Sequence, residues 1–224
     1  MLLRVLSCLV VLLLASPTPL FAADEKRAEP KQDEKGFVAL FDGKSLAGWI
    51  GGEDSYKIED GRLISLPEGR TNIYTEKEYD NFVLRFEFKL EPGANNGVGL
   101  RAPLGGDAAY KGMESQILDD GHEMYKDIKP YQAHGSIYGV IPAKRGHLKA
   151  TGEWNEEEIT LDGRHVTVKL NGHVIVDGDL DEASKNGTID GNDHPGLKRD
   201  TGHIGFLGHG AHIEFRKIRL KELK

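Results

Sequence analysis

The sequence predicts an all-β protein, a two-sheet antiparallel β-sandwich, on three observations. Short β-rich or alternating runs recur between turn signals from residue 36 onward, at the spacing of a sandwich or barrel. The dipeptides Asp60-Gly61, Asp162-Gly163 and Asn171-Gly172 tolerate positive φ, and each lies between two such runs, the signature of a hairpin. The 28 glycines and nine prolines among 224 residues suit a loop-rich sheet protein better than a helical one.

Ahead of that domain, Arg4, the apolar run 9–14 and the small residues Ala22 and Ala23 read as a signal peptide over 1–23. The expected mature protein is therefore exported, to the periplasm or the extracellular space. The apolar run is shorter than the roughly 20 residues that cross a bilayer, so no integral membrane segment is expected in the mature chain. Cys8 is the only cysteine and lies in the leader. The mature chain is thus expected to lack disulfides, thiol nucleophiles and Cys-based metal sites. Losing the single positive charge of Arg4 takes the formal net charge from −7 to −8. An acidic chain without clustered Lys and Arg does not suit a nucleic-acid partner.

Residues 24–35 are almost wholly polar or charged around Pro30 and predict a flexible segment. The remainder, 36–224, reads as one domain, since all-β domains often reach that size undivided. In chain order its candidate strands are 37–41, 56–59, 62–65, 82–90, 97–101, 113–118, 136–138, 157–162, 165–170, 173–177, 203–207 and 212–220. Residues 180–185 could make one short helical turn. Residues 186–201, dense in Gly, Asp, Asn and Pro, read as a long loop of the kind that often carries function.

Strand alternation sends Glu114 and Gln116 to one face and Met113, Ser115 and Ile117 to the other. On an arbitrary strand such a polar face is more often solvated than functional. Here, however, similar faces recur: Gly97, Gly99 and Arg101; His134, Ser136 and Tyr138; Leu207 and His209. On neighbouring strands these would form a cleft in which an Arg fork binds hydroxyls or carboxylates, aromatic rings stack on sugars and glycines leave room for a ligand. His134 and His209 are the proton-transfer candidates, because imidazole changes charge near neutral pH. Trp154 and Asn155, at the start of a strand, suit binding or plain packing equally. No phosphate-binding Gly-rich loop, GxSxG elbow or kinase motif is present. No cofactor is expected; a divalent metal shared by His134, His209, Glu114 and Asp119 stays open as an alternative.

Several ordered motifs together resemble a known family. They are the opening FVALFDGKSLAGW of residues 37–49, NNGVGLR of 95–101, MESQILD of 113–119, GEWN of 152–155, GHIGFLGHG of 202–210 and FRKIR of 215–219. In one register from about Gly36 to Lys224 they are similar to the 3-keto-disaccharide hydrolase domain family, with Asn96 where that family often carries serine. The resemblance implies a concanavalin A-like jelly roll and cleavage of glycosides whose sugar has been oxidised to a 3-ketone. A C3 ketone acidifies the C2 hydrogen, so a base forms an enolate that expels the C1 substituent, and water adds afterwards. Such a site needs a base near C2, donors at the C3 oxygen and an acid for the leaving oxygen. For that chemistry Glu114, His134 and His209 are the catalytic candidates, Glu114 or His134 as base or acid and His209 completing the pocket. Arg101 and Gln116 are expected to hold the keto-sugar, and Asp119, Tyr138, Trp154 and Asn155 are further substrate-binding candidates, with carbohydrate as the partner. Direct hydrolysis by carboxylates about 5 to 5.5 Å apart is disfavoured, because Gln116 occupies the middle of the strand. The rival reading from another class is a non-catalytic carbohydrate-binding module; a structural or adhesion domain is the third.

Overall fold

The computed structural model describes residues 34–224; the expected signal peptide and residues 24–33 lie outside that range. Thirteen strands are present among the described residues: β1 (Val38–Ala39), β2 (Trp49–Gly51), β3 (Tyr56–Glu59), β4 (Arg62–Ser65), β5 (Ile73–Thr75), β6 (Phe82–Leu90), β7 (Asn95–Ala102), β8 (Met113–Leu118), β9 (Trp154–Asp162), β10 (His165–Leu170), β11 (His173–Asp179), β12 (His203–Phe206) and β13 (Ile213–Glu222). They form two antiparallel sheets. The larger runs β11-β10-β9-β6-β13-β4-β3, with β1 also on β13, and the smaller runs β2-β5-β12-β7-β8. The expected all-β, two-sheet sandwich is the fold observed. Among the described residues helix is confined to α1 (Ala108–Lys111), α2 (Leu180–Ser184) and three 3₁₀ turns. None of these is long and apolar enough to cross a membrane.

Period-two patterning puts the core between the sheets. On β6, Phe82, Leu84, Phe86, Phe88 and Leu90 are buried while the residues between them are half-buried. Phe86 meets Phe206 of the smaller sheet edge-on at 5.7 Å, and Phe206 meets Phe215 at 4.4 Å. Solvent-side residues of the larger sheet pair by charge instead, as in Arg85–Glu158 at 2.7 Å and Arg216–Glu87 at 2.6 Å. Glu34, inside the stretch expected to be flexible, is tied to this face by Arg219 at 2.8 Å.

Two hairpins turn where the dipeptides place them: Asp60-Gly61 and Asn171-Gly172 all take positive φ. The third is shifted by one residue. Asp162 pairs with His165, so the two-residue loop is Gly163-Arg164, with the glycine at its first position. Residues 136–138 form no regular strand, only isolated bridges from Ile137 to Ser115 and to Ile141. Conversely, β2 and β5 have only three residues each and too little sequence to show a period. Bulges break the alternation on three strands, β7, β11 and β13. On β7 and β13 one extra residue shifts the register, and Arg101 (φ 47°) and Lys217 (φ 52°) take left-handed conformations there.

Candidate active site

β8 is the edge strand of the smaller sheet, and its two faces have opposite fates. Met113, Ser115 and Ile117 enter the inter-sheet core, while Glu114, Gln116 and Leu118 line a cavity of ≈ 300 Å³ on the other side. Across the ladder, Gly97 is the partner of Gln116 and Gly99 that of Glu114. A Cβ on Gly97 would fall 1.9 Å from Glu114 Oε1, so the bare backbone is what lets the carboxyl lie against the sheet. The outer edge of β8 is closed by residues 134–138: Gln116 N–H donates to Ser136 O at 3.0 Å, and Tyr138 N–H to Glu114 O at 2.9 Å. That closure carries the Tyr138 ring into the cavity wall.

Glu114 is 4% exposed, and its Oε1 is the buried side-chain polar atom without a hydrogen-bond partner among the described residues. Desolvation pushes its carboxyl above the ordinary range. The Nε2 atom of His209 lies 3.7 Å away, too long for a hydrogen bond but close enough for charge attraction. The Glu114 carboxylate raises the His209 imidazole above its usual value, and the imidazole partly offsets the upward shift of Glu114. A strengthened base and a cation-prone acid therefore stand side by side in one hollow.

His209 belongs to no strand; its loop is pinned by buried amides and hydroxyls. Asn96 Oδ1 accepts from Gly97 N–H at 2.7 Å and Leu207 N–H at 3.0 Å, and Tyr56 donates its hydroxyl to Leu207 O at 2.7 Å. Asn72 Oδ1 accepts from Gly208 N–H at 2.9 Å. Gly208 is required here, because a Cβ would meet Thr71 O at 2.4 Å. Gln116 is likewise fixed, its Nε2 donating to Asn95 Oδ1 at 2.8 Å and Asn96 O at 3.2 Å. Tyr110, Tyr125 and Tyr138 supply ring faces, and Asp107 stands on the rim as the N-cap of α1.

Of the residues expected at the site, the cavity gathers Glu114, Gln116, Tyr138 and His209 and leaves five elsewhere. Arg101 is turned away by the β7 bulge: its guanidinium donates to Asp80 O at 2.9 Å, Asn81 Oδ1 at 3.2 Å and Arg199 O at 3.3 Å, and only 1% of it is exposed. His134 enters the core. Its Nδ1 accepts from Leu118 N–H at 3.1 Å, its Nε2 donates to Glu157 at 3.0 Å, and its ring stacks on Phe88. It thus shares no metal site with His209. Asp119 accepts from Gly93 N–H at 2.8 Å and borders a different cavity. Trp154 lies on the outer face of the larger sheet under Arg216, and Asn155 accepts from Lys149 N–H and Asn171. Asn95, Asp107, Tyr110, Tyr125, Ile128 and Gln132 line the cavity without having been singled out. Only Asp107, ahead of two alanines, carried a local signal, that of a helix cap.

The family described as the 3-keto-alpha-glucoside-1,2-lyase-like domain matches residues 36–221. A Bacteroides thetaiotaomicron protein named 3-keto-disaccharide hydrolase is 29% identical over an alignment 245 positions long, gaps included, covering 90% of this chain and 83% of its own length. A crystal structure of a candidate glycosyl hydrolase from Parabacteroides distasonis is 32% identical with a TM-score of 0.74, covering 84% of this chain and 99% of that one. A second from the same organism, at 25% identity, has a TM-score of 0.64 and covers 84% of each chain.

Proposed function

The chain belongs to the 3-keto-alpha-glucoside-1,2-lyase-like family, and from that premise we propose that it cleaves 3-keto-glycosides, 3-keto-disaccharides among them, by elimination followed by hydration. The observation that carries the reading is the partnerless Glu114 Oε1, buried beside His209 in a cavity of sugar size. A lectin has no use for a carboxylate oxygen held dry and unpaired next to an imidazole. Proton abstraction does, because desolvation strengthens a carboxylate as a base.

Glu114, ionised, takes the C2 proton; the C2–H pair forms the C2=C3 enolate, and the negative charge moves to the C3 oxygen. The enolate then collapses: the C3 carbonyl re-forms, a C1=C2 double bond forms and the C1–O bond breaks. His209, protonated, gives its proton to the departing oxygen, leaving an enone and an alcohol. Water then adds at C1 and a proton at C2, which yields the 3-keto sugar. No covalent sugar–protein bond is made, and one carboxylate suffices, which accords with an amide at Gln116. The ring faces of Tyr110 and Tyr138 hold the pyranose over Glu114.

The test is incubation with a 3-keto-glycoside, with and without chelator, following enone absorbance and released alcohol together. Release with transient enone in both arms is the expected result. Release without enone in a rapid-mixing experiment overturns elimination, and loss with chelator that is restored by a divalent ion overturns a metal-free site. Binding of the sugar with no release supports a lectin. The apolar leader adds the proposal that the protein works outside the cytoplasm; a mature N-terminus near residue 24 in the exported fraction checks it.

A further inference from the structure

The cavity has two chemically different ends. Glu114, Gln116 and Leu118 share one face of β8, and at about 3.3 Å per residue the Cα atoms of Glu114 and Leu118 stand ~13 Å apart. Glu114, His209 and Asp107 occupy one end. Leu118 occupies the other, where residues 119–132 bring Tyr125 and Ile128 over it. A single pyranose seated over Glu114 does not fill this length, and its C1 substituent extends along the strand.

Resting on the proposed elimination, we infer that the Leu118–Tyr125–Ile128 end is a leaving-group subsite for apolar, preferably aromatic, aglycones rather than for a second sugar. Most side-chain polar atoms there are already spent within the protein, Asn95 Oδ1 opposite Leu118 accepting from Gln116 Nε2 at 2.8 Å and leaving its amide N–H as the donor that faces a ligand. Tyr125 donates its hydroxyl to Gly93 O at 3.1 Å. Gln132 Oε1 accepts from Lys129 N–H at 2.9 Å, and its Nε2 is directed to the Tyr138 hydroxyl at 3.4 Å. Hydroxyls of a second sugar would enter against Leu118, Ile128 and ring faces and leave water without equivalent partners, an unfavourable exchange. A flat apolar group loses only hydration there and gains contact with the Tyr125 ring. Neither Lys nor Arg lines the cavity, so an anionic leaving group has no counter-ion.

The experiment compares methyl 3-keto-glucoside, phenyl 3-keto-glucoside and a 3-keto-disaccharide as substrates. In parallel, calorimetry measures binding of the unoxidised methyl and phenyl glucosides, which cannot react. The subsite predicts kcat/KM for phenyl above methyl by roughly tenfold or more, the scale on which a hydrophobic pocket discriminates. It predicts tighter phenyl binding in the calorimetric arm as well. Both ratios fall in Ile128→Asn and persist in Ile128→Leu, substitutions at a half-buried loop position outside the inter-sheet core. Because phenol is also the better leaving group, the calorimetric ratio decides. Phenyl bound no tighter than methyl, or a disaccharide preferred over both, overturns the inference. Absence of turnover with all three substrates overturns the elimination reading while the binding ratio still judges the subsite.

Discussion

Glu114→Gln should separate catalysis from stability, because the same burial that suits the carboxylate for proton abstraction disfavours its charge in the folded state. The substitution keeps the volume of the side chain and its place against Gly97, so the sheet has no reason to rearrange. Removing a general base typically lowers turnover by ~10²- to 10⁴-fold, and kcat should fall by that factor. Stability should move the other way. An unmatched buried polar group costs about 1–3 kcal/mol, and more when charged, whereas the attraction lost with His209 involves an imidazole 42% exposed. Half-exposed pairs are worth about 0.2–1 kcal/mol, so the desolvation penalty wins. The substituted amide keeps the cost of an unmatched neutral group, so the gain is the excess carried by the charge, and each 1 kcal/mol of it corresponds to roughly 2–4 °C in Tm for a domain of this size. The sign with pH follows from the raised folded pKa. Below the ordinary carboxylate value both states are protonated and wild type has no penalty; as pH rises through the interval up to the folded pKa, the unfolded state ionises first and wild type loses stability. Scanning calorimetry of both proteins from pH 4 to 8 should thus show curves that meet at the acid end and diverge towards neutrality with the variant higher. Turnover within tenfold of wild type, or a variant melting lower at pH 7, would refute the reasoning.

Other outcomes follow from neighbouring groups. The kcat/KM profile of wild type should be a bell whose limbs both lie above ordinary carboxylate and imidazole values, since Glu114 must be ionised and His209 protonated. Steady-state rates in His209→Gln should lose the alkaline limb and show the acid limb displaced further upward, because the imidazole no longer draws the Glu114 pKa down. Asn96→Ala strips the acceptor from Gly97 N–H and one of the two acceptors of Leu207 N–H, which keeps Gly97 O at 3.0 Å, so a loss of about 1–3 kcal/mol in urea unfolding is expected. It should also lower kcat by more than Tyr56→Phe, because the His209 loop loses its anchor. His134→Gln should lower the melting temperature through the lost link to Glu157, yet leave kcat within a few-fold. A drop of ~10²-fold in folded variant would return His134 to the proton-transfer step.

What the sequence made legible follows period and turn chemistry. β6, β8 and β10 have the bounds that alternation predicts, and β8 alone places Glu114 and Gln116 on one face away from the core. Alternation failed where the backbone departs from it. Alternation assigns Arg101 to the face of Gly97 and Gly99, but the extra residue in β7 and its left-handed conformation swing the guanidinium to Asp80 and Arg199. His134 was assigned through a strand that is a turn, and it became a surrogate acceptor for Leu118 N–H at the sheet edge. Tyr110, Tyr125 and Ile128 sit on α1, a 3₁₀ turn and a loop, all too short or irregular for a period to mark which way a side chain faces.

The partition of buried acids supports the catalytic assignment more strongly than position on the fold. Glu157 is 0% exposed, deeper than Glu114, yet its oxygens are met by His134 Nε2 at 3.0 Å and Ser115 Oγ at 3.5 Å. The two acids lie on opposite sides of the same strand, β8, one facing partners and the other facing a cavity. A fold that can match a buried carboxylate on the inner side has the means to match one on the outer side, and Gln116, two residues from Glu114, spends its amide on Asn95 and Asn96 instead. The unmatched oxygen of Glu114 therefore supports the proposed role, in which the missing partner is the substrate's own C–H or O–H.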